Sequence, residues 1–245
     1  MSVVIELPPL PAPVDQLWHF LLDLAEQLTV PWTLIGGQMV LLHAIEHGQV
    51  PPQISQDGDV LADIRADSRA VTQVVAQLEA SAFDLAGISA DGLAHRYVRA
   101  AEPRAVVVDV LAPEGLGERT DLTTSPPGRT LEVPGGTQAL ARTELVTVVH
   151  EGRRGEVPRP SLIAAIVAKA AAVELADPAR HYRDLALLCA LVIDPFEMLD
   201  QMTKKDRQRL RKAKRLSDDA HPAWLLVPEQ IRAQGQIAFG VLLGG

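Results

Sequence analysis

The chain is short of cysteine, of aromatic residues and of long apolar runs, and each shortage excludes something. Its single cysteine, Cys189, rules out an internal disulfide framework and a cysteine-rich zinc site. That residue lies in the apolar run "LALLCALV", where a buried core thiol is expected and a nucleophile is not. Aromatic residues make up only 4% of the 245, so the core has to be built from Ala, Leu and Val. No apolar run reaches the roughly 18 residues that a membrane helix needs. The N-terminal "MSVVIELPPLPAPVD" has neither a basic n-region nor a long apolar h-region, so a cytoplasmic protein with no membrane partner is expected. Net positive charge is missing too: the formal charge is −8, which argues against a protein that coats nucleic acid with its whole surface.

What is present is ordinary in bulk and uneven in detail. Hydrophobic residues account for 47% and charged residues for 22%, as in a soluble globular protein long enough for one large domain or two small ones. The segment "KKDRQRLRKAKR" (204–215) carries eight Lys/Arg and one Asp, a local +7 that leaves −15 on the rest. Its charges fall around a whole helix, which fits first a solvated helix or connector, and as the sharper alternative a patch for an RNA backbone such as a tRNA acceptor stem. With no aromatic residue interleaved, base stacking on this segment is not expected.

Hydrophobic spacing divides the chain in two. Leu17, Leu21, Leu24 and Leu28 mark a helix over 13–28. "PWTLIGG" (31–37) reads as a buried strand that runs into a helix over 37–48. A polar loop leads to a strand in "DGDVLADI", and a helix over 68–82 follows, with Ser68 as its N-cap. Strands are expected over 95–100 and 104–113, the second β-branched on both faces and therefore central. Residues 114–136 read as a loop with a short strand near "TLEV". From about Val157 only helices are expected: "PRPSLIAAIVAKAAAVELAD", then "DPARHYRDLALLCALV", then "DPFEMLDQM", the basic segment begun by a Thr203/Asp206 capping box, and a last helix in "PEQIRAQGQIAFGVLL". The fold class is α+β, with an expected core domain over 1–155 and an all-helical domain over 156–245.

Three features carry chemistry. A strand ending in Gly36–Gly37 and opening directly into a helix lets backbone N–H groups approach an anion at the helix's positive end. Asp57 and Asp59, separated by Gly58, put two carboxylates on one face of a strand, where they repel unless a cation neutralises them. Asp109 is a lone acid inside "VVVDVL", and a buried strand aspartate is costly unless an arginine or a metal ion partners it. If the strands of Asp57–Asp59 and Asp109 are neighbours, three hard oxygen donors converge. Such a set suits Mg²⁺, or Mn²⁺, completed by water and substrate phosphates. Two ions could then serve an in-line displacement, with Asp57 and Asp59 holding the ion that grips the triphosphate and Asp109 helping to hold the second ion and accepting the proton of the attacking hydroxyl.

This order of parts resembles the polymerase-β-type nucleotidyltransferase superfamily. "PRPSLIAAIVAKAAAVELADPARHYRDLALL" is similar to the closing region of the AbiEii-type nucleotidyltransferases, the toxins of type IV toxin–antitoxin pairs, and their MenT-like relatives. The resemblance places Lys169 as the family's helix lysine and Arg183–Asp184–Leu185 as its arginine–aspartate signature. Lys169, Arg183 and Ser55 are thereby implied in nucleotide binding, and Lys169 and Asp184 in catalysis, with Asp184 orienting Lys169 or Arg183. The implied substrate is an NTP and the implied reaction is transfer of a nucleoside monophosphate to a hydroxyl. RNA or a tRNA 3′ end is the favoured acceptor, with protein and small molecules as alternatives, and a cognate antitoxin is an implied partner. Three residues depart from the pattern: Gln53 where the family has Arg, Gly58 where it has an apolar residue, and Leu187 where it has a second Asp. These departures favour a rival reading, a catalytically inactive nucleotide- or partner-binding module. A metal-dependent nuclease using the same acids ranks last. Among the histidines, His43 is assigned to packing or to the site lining, and His181 is placed near the nucleotide.

Overall fold

A computed structural model describes residues 3–244; the outermost ends of the two expected ranges, residues 1, 2 and 245, lie outside it. The architecture is α+β, with two sheets followed by a helical region. The elements of the first part are β1 (Val4–Glu6), α1 (Ala12–Gln27), β2 (Trp32–Ile35), α2 (Gly36–Glu46), β3 (Asp57–Ala62), α3 (Ala70–Ala80), β4 (Asp84–Leu85), β5 (Arg96–Arg99), β6 (Val106–Pro113), β7 (Leu131–Val133), α4 (Gly136–Ala141), β8 (Thr143–His150) and β9 (Arg153–Pro160). Helices alone follow: α5 (Leu162–Ala172), α6 (Pro178–Ala190), α7 (Pro195–Asp200), α8 (Lys204–Leu210), a 3₁₀ stretch (Arg211–Ser217), α9 (Pro222–Leu225) and α10 (Glu229–Leu243).

The larger sheet runs β2-β3-β6-β5-β4, with β7 added beside β6. β6 lies in its interior, as its β-branched faces predict, and pairs in parallel with β3 and antiparallel with β5. The smaller sheet, β1-β8-β9, has no counterpart in the sequence reading. β8 and β9 form a hairpin through Glu151 and Gly152, both left-handed, the geometry that a two-residue turn needs. Two expectations are corrected here. Pro158–Arg159–Pro160 belong to β9 and not to the helix that follows, because Pro158 and Pro160 occupy positions on an outer strand where no N–H donation is required. Helix α3 begins at Ala70 with no side-chain cap: Asp67, not Ser68, accepts from the Arg69 N–H at 2.9 Å.

Helix α1 lies between the two sheets, touching β9 on one side and β3 and β6 on the other. Its leucines, with Trp18 and Phe20, join Val60, Val108, Val110 and Val148 in one apolar cluster. A second cluster fills the helical region and includes Cys189, whose thiol burial pushes well above its ordinary pKa. Helix α2 serves both clusters, Leu41 and Leu42 facing the first and Met39, Val40 and Ala44 the second. Burial of that helix on two sides holds the sheet edge against α5 and α6. The cleft between them is the site.

Candidate functional site

The site is built on one register row of the larger sheet. Ile35 on β2 pairs with Asp59 on β3, Asp59 with Asp109 on β6, and Asp109 with Arg96 on β5. Asp57 stands two residues before Asp59 and so on the same face. One carboxylate oxygen from each of Asp57, Asp59 and Asp109 lies within 4.8 Å of the other two. The convergence expected from the sequence is therefore present. Burial, then the charges of Asp57 and Asp109, push the Asp59 carboxyl up to about 7, against the opposing pull of Lys169 and Arg180.

Arg96 is the residue that sequence reasoning missed. Its guanidinium donates to both oxygens of Asp109, at 2.8 and 2.7 Å, and lies 3.9 Å from Asp57. Of the two partners considered for Asp109, an arginine is thus in place, supplied by the next strand. Its side chain is half exposed, unlike a core arginine. The signal was available only through β-pairing: "HRYVRA" read as a strand, but nothing in the sequence fixed Arg96 opposite Asp109.

The glycines are required by what stands against them. Gly36 has a left-handed φ of +71°, and a Cβ there would overlap the Asp59 carboxylate. A Cβ on Gly37 would overlap the Ser55 side chain. Both residues line the cleft. The loop before β3 is fixed by a buried relay in which Trp18 Nε1 donates to Gln38 Oε1 at 2.9 Å and Gln38 Nε2 donates to the Ser55 carbonyl at 2.6 Å. Ser55 in turn donates to Asp57. Gly58 also has an account: its α-carbon faces α1, where a Cβ would sit 3.0 Å from Leu17 Cδ1. The smallest residue lets the helix lie close behind the acidic strand.

The opposite wall comes from α5 and α6. Lys169 is buried and its Nζ donates to Asp184 Oδ2 at 2.7 Å. Arg183 Nη1 donates to Gln53 Oε1 at 2.5 Å, so the loop before β3 and α6 are joined across the cleft by these two side chains. Leu187, on α6 with Arg183, is buried in the helical cluster, where an aspartate would need a partner. His181 lines the cleft, held neutral by a pKa pushed down to about 4 by burial and then by Lys169 and Arg180. His43 does not line it; its Nε2 lies 3.0 Å from the Pro160 carbonyl, so it is a packing residue.

Beside Asp57 a second groove opens, lined by Arg96, Arg104, Arg180 and Arg183 against Asp57 and Asp177. The basic segment lines neither space. Its buried positions, Asp206, Leu210, Ala213 and Leu216, form one stripe against the helical cluster. Two of its cations are already paired, Arg209 with Glu114 at 2.5 Å and Lys212 with Glu174 at 2.6 Å. The Thr203/Asp206 capping box is present. No helix among the described residues is long and apolar enough to cross a membrane.

Comparison with protein-family models and with curated proteins found no match. Among solved structures, that of the antibiotic-resistance factor ANT(2'')-Ia is similar over 84% of this chain and 93% of its own, with a TM-score of 0.46 and 15% identity. What the cleft does has to be read from its own residues.

Proposed function

We propose that the chain is a Mg²⁺-dependent nucleotidyltransferase that moves a nucleoside monophosphate from an NTP to a hydroxyl of RNA. The observation that carries this is the convergence of Asp57, Asp59 and Asp109 at the edge of a cleft whose far wall presents Lys169 and Arg180. The donor set fits a hard divalent cation: three carboxylate oxygens, no nitrogen or sulfur, and burial that, with the neighbouring charges of Asp57 and Asp109, keeps a proton on Asp59 near neutral pH. When bound, the metal neutralises phosphate charge and activates the attacking hydroxyl.

The chain's own residues supply the rest. Lys169, oriented by Asp184, points a fixed positive charge at the triphosphate without spending side-chain entropy on binding. The Gly36–Gly37 turn brings the N-terminus of α2 beside Asp59, where its N–H groups face phosphate. Asp109 takes the proton of the acceptor hydroxyl. For that, Arg96 must release at least one of its two oxygens and swing outward, which its half-exposed side chain permits. The acceptor lies in the groove beside Asp57, where four arginines against two aspartates favour a polyanion over a cationic small molecule. Residues 204–215 would add distant phosphate contacts. A role as the toxin of a toxin–antitoxin pair rests on the sequence resemblance, and growth arrest relieved by a neighbouring reading frame would test it.

The deciding experiment incubates the protein with total RNA, with itself alone and with each labelled NTP in turn, beside Asp59→Ala and Asp109→Ala. Label on RNA from the wild type and none from either variant supports the proposal; equal labelling by all three overturns it. One observation favours the inactive-module reading, namely the two-pronged hold of Arg96 on Asp109. Nucleotide binding without turnover by wild-type protein, at any Mg²⁺ concentration, would establish that reading.

A further inference from the structure

A second cluster of ligating side chains lies on the other side of α1, away from the carboxylate row. Asp15 and His19 are one helical turn apart on α1, and His150 is the last residue of β8. One ligand atom from each lies within 4.8 Å of the other two. Glu151, in the hairpin turn, lies beside His19, outside that group of three. The separations are 2.8 Å from His150 Nε2 to Asp15 Oδ1, 3.7 Å from His19 Nε2 to Asp15 Oδ1, and 3.3 Å from His19 Nε2 to Glu151 Oε2. Around a tetrahedral ion with bonds of 2.0–2.1 Å, ligand atoms stand about 3.3 Å apart. The three distances bracket that edge length.

The donor chemistry differs from that of the cleft. Two imidazoles and one or two carboxylates suit Zn²⁺, whereas three carboxylates suit Mg²⁺. We propose that Asp15, His19 and His150, closed by Glu151, form a Zn²⁺ site that clamps α1 to the β8–β9 hairpin. His150 is almost fully buried, so its position is set by packing, while Asp15 and His19 are about one-third exposed and leave the ion a way in. The same face already carries a weaker tie, in which Arg153 Nη2 donates to Asp23 Oδ1 at 2.5 Å and Nη1 donates to the His19 carbonyl at 3.4 Å. Zinc would take the place of the ring proton on His150 Nε2 that faces Asp15, and that single proton would move to Nδ1. Nδ1 is buried without a partner, and that cost is small beside the set of metal–ligand bonds gained. Because α1 packs behind the acidic strand through Leu17 and Gly58, the clamp would fix the helix on which that strand rests.

Co²⁺ titration of the metal-stripped full-length chain tests this, since tetrahedral Co²⁺ absorbs strongly in the visible. One equivalent should bind with tetrahedral bands, and Zn²⁺ should displace it. His19→Ala, a change at a partly exposed position that should leave the fold intact by circular dichroism, should weaken zinc binding by at least about a hundredfold. Asp59→Asn should leave it unchanged, which separates this site from the cleft and from the transferase reading. Absence of the bands in the wild type, retention of full affinity in folded His19→Ala, or loss of binding in Asp59→Asn would each overturn the proposal.

Discussion

The two walls of the cleft handle charge in opposite ways. On the helical wall, Lys169 and Asp184 are buried together, one cation to one anion at 2.7 Å, and each meets the other's need. On the sheet wall three carboxylates share a face with one half-exposed arginine, and Asp59 keeps its proton up to about pH 7 because burial and the charges of Asp57 and Asp109 outweigh the pull of Lys169 and Arg180. A buried pair that satisfies itself is part of the frame. A cluster that does not is a place where a ligand has work left to do, and the contrast predicts which variants cost activity and which cost folding.

The largest effect is expected on the sheet wall. Asp59→Asn removes a metal donor and should reduce nucleotide transfer by at least about 10³-fold in a labelled-NTP assay. The same change removes a repelled charge, so thermal unfolding above pH 7 should show unchanged or raised stability. Lys169→Met should behave otherwise. It strands Asp184 in a buried position and should cost about 3 kcal/mol in urea unfolding, together with a loss of transfer. A second change, Asp184→Asn, should restore much of the stability and none of the activity. If Asp59→Asn unfolds the protein while Lys169→Met does not, the contrast between the walls is wrong.

The pH dependence follows from Asp59 with its sign worked out. Its ordinary pKa is 3.8 and its pKa in the folded, metal-free protein is about 7. Between those values the native state holds a proton that the unfolded chain has lost, so stability falls as pH rises through that window. The fall should be about 4 kcal/mol before solvent screening reduces it, and Asp59→Asn should flatten it. Because Mg²⁺ competes with the same proton, its apparent affinity should rise about tenfold per pH unit up to about 7 and then level off. A Mg²⁺ affinity that is flat between pH 5 and 7, measured by calorimetry, would contradict this.

How much of this was legible in the sequence depends on whether the signal was local. Asp57, Asp59 and Asp109 announced themselves because charge inside an apolar strand is expensive wherever it occurs, and β6 read as central from its β-branched faces. Leu17, Leu21 and Leu24 gave α1 by spacing alone. The β8–β9 hairpin stayed hidden because its turn is Glu–Gly, not Asn–Gly, and because Pro158 and Pro160 in "RRGEVPRP" disguise a strand. Arg96 was visible as a residue but not as a partner: its meaning lies in the register that sets it opposite Asp109, and one slip of that strand would turn it away. Gly58 could be explained only once α1 was known to lie behind it. Local chemistry predicted what the site contains, and pairing decided who neutralises whom.

Arg96 itself offers a finer test of the sheet wall. Arg96→Gln removes a cation that stands where a metal's charge would be felt, so Mg²⁺ should bind a few-fold more tightly, while stability falls by about 1 kcal/mol from the lost charge-assisted hydrogen bonds. Weaker Mg²⁺ binding in this variant would mean that the arginine holds Asp109 in place for the metal and does not compete with it. The smallest effect on chemistry is expected behind the row. Gly58→Val should press on Leu17 and cost about 1–3 kcal/mol through overpacking. Its folded fraction should still transfer nucleotide, because the carboxylates point to the other face. Pairing it with Leu17→Ala makes room for the added methyls, so the double variant should be more stable than the sum of the two single losses. Simple additivity in that cycle, read by urea unfolding, would show that α1 and the acidic strand are not in the close contact that ties the frame to the site.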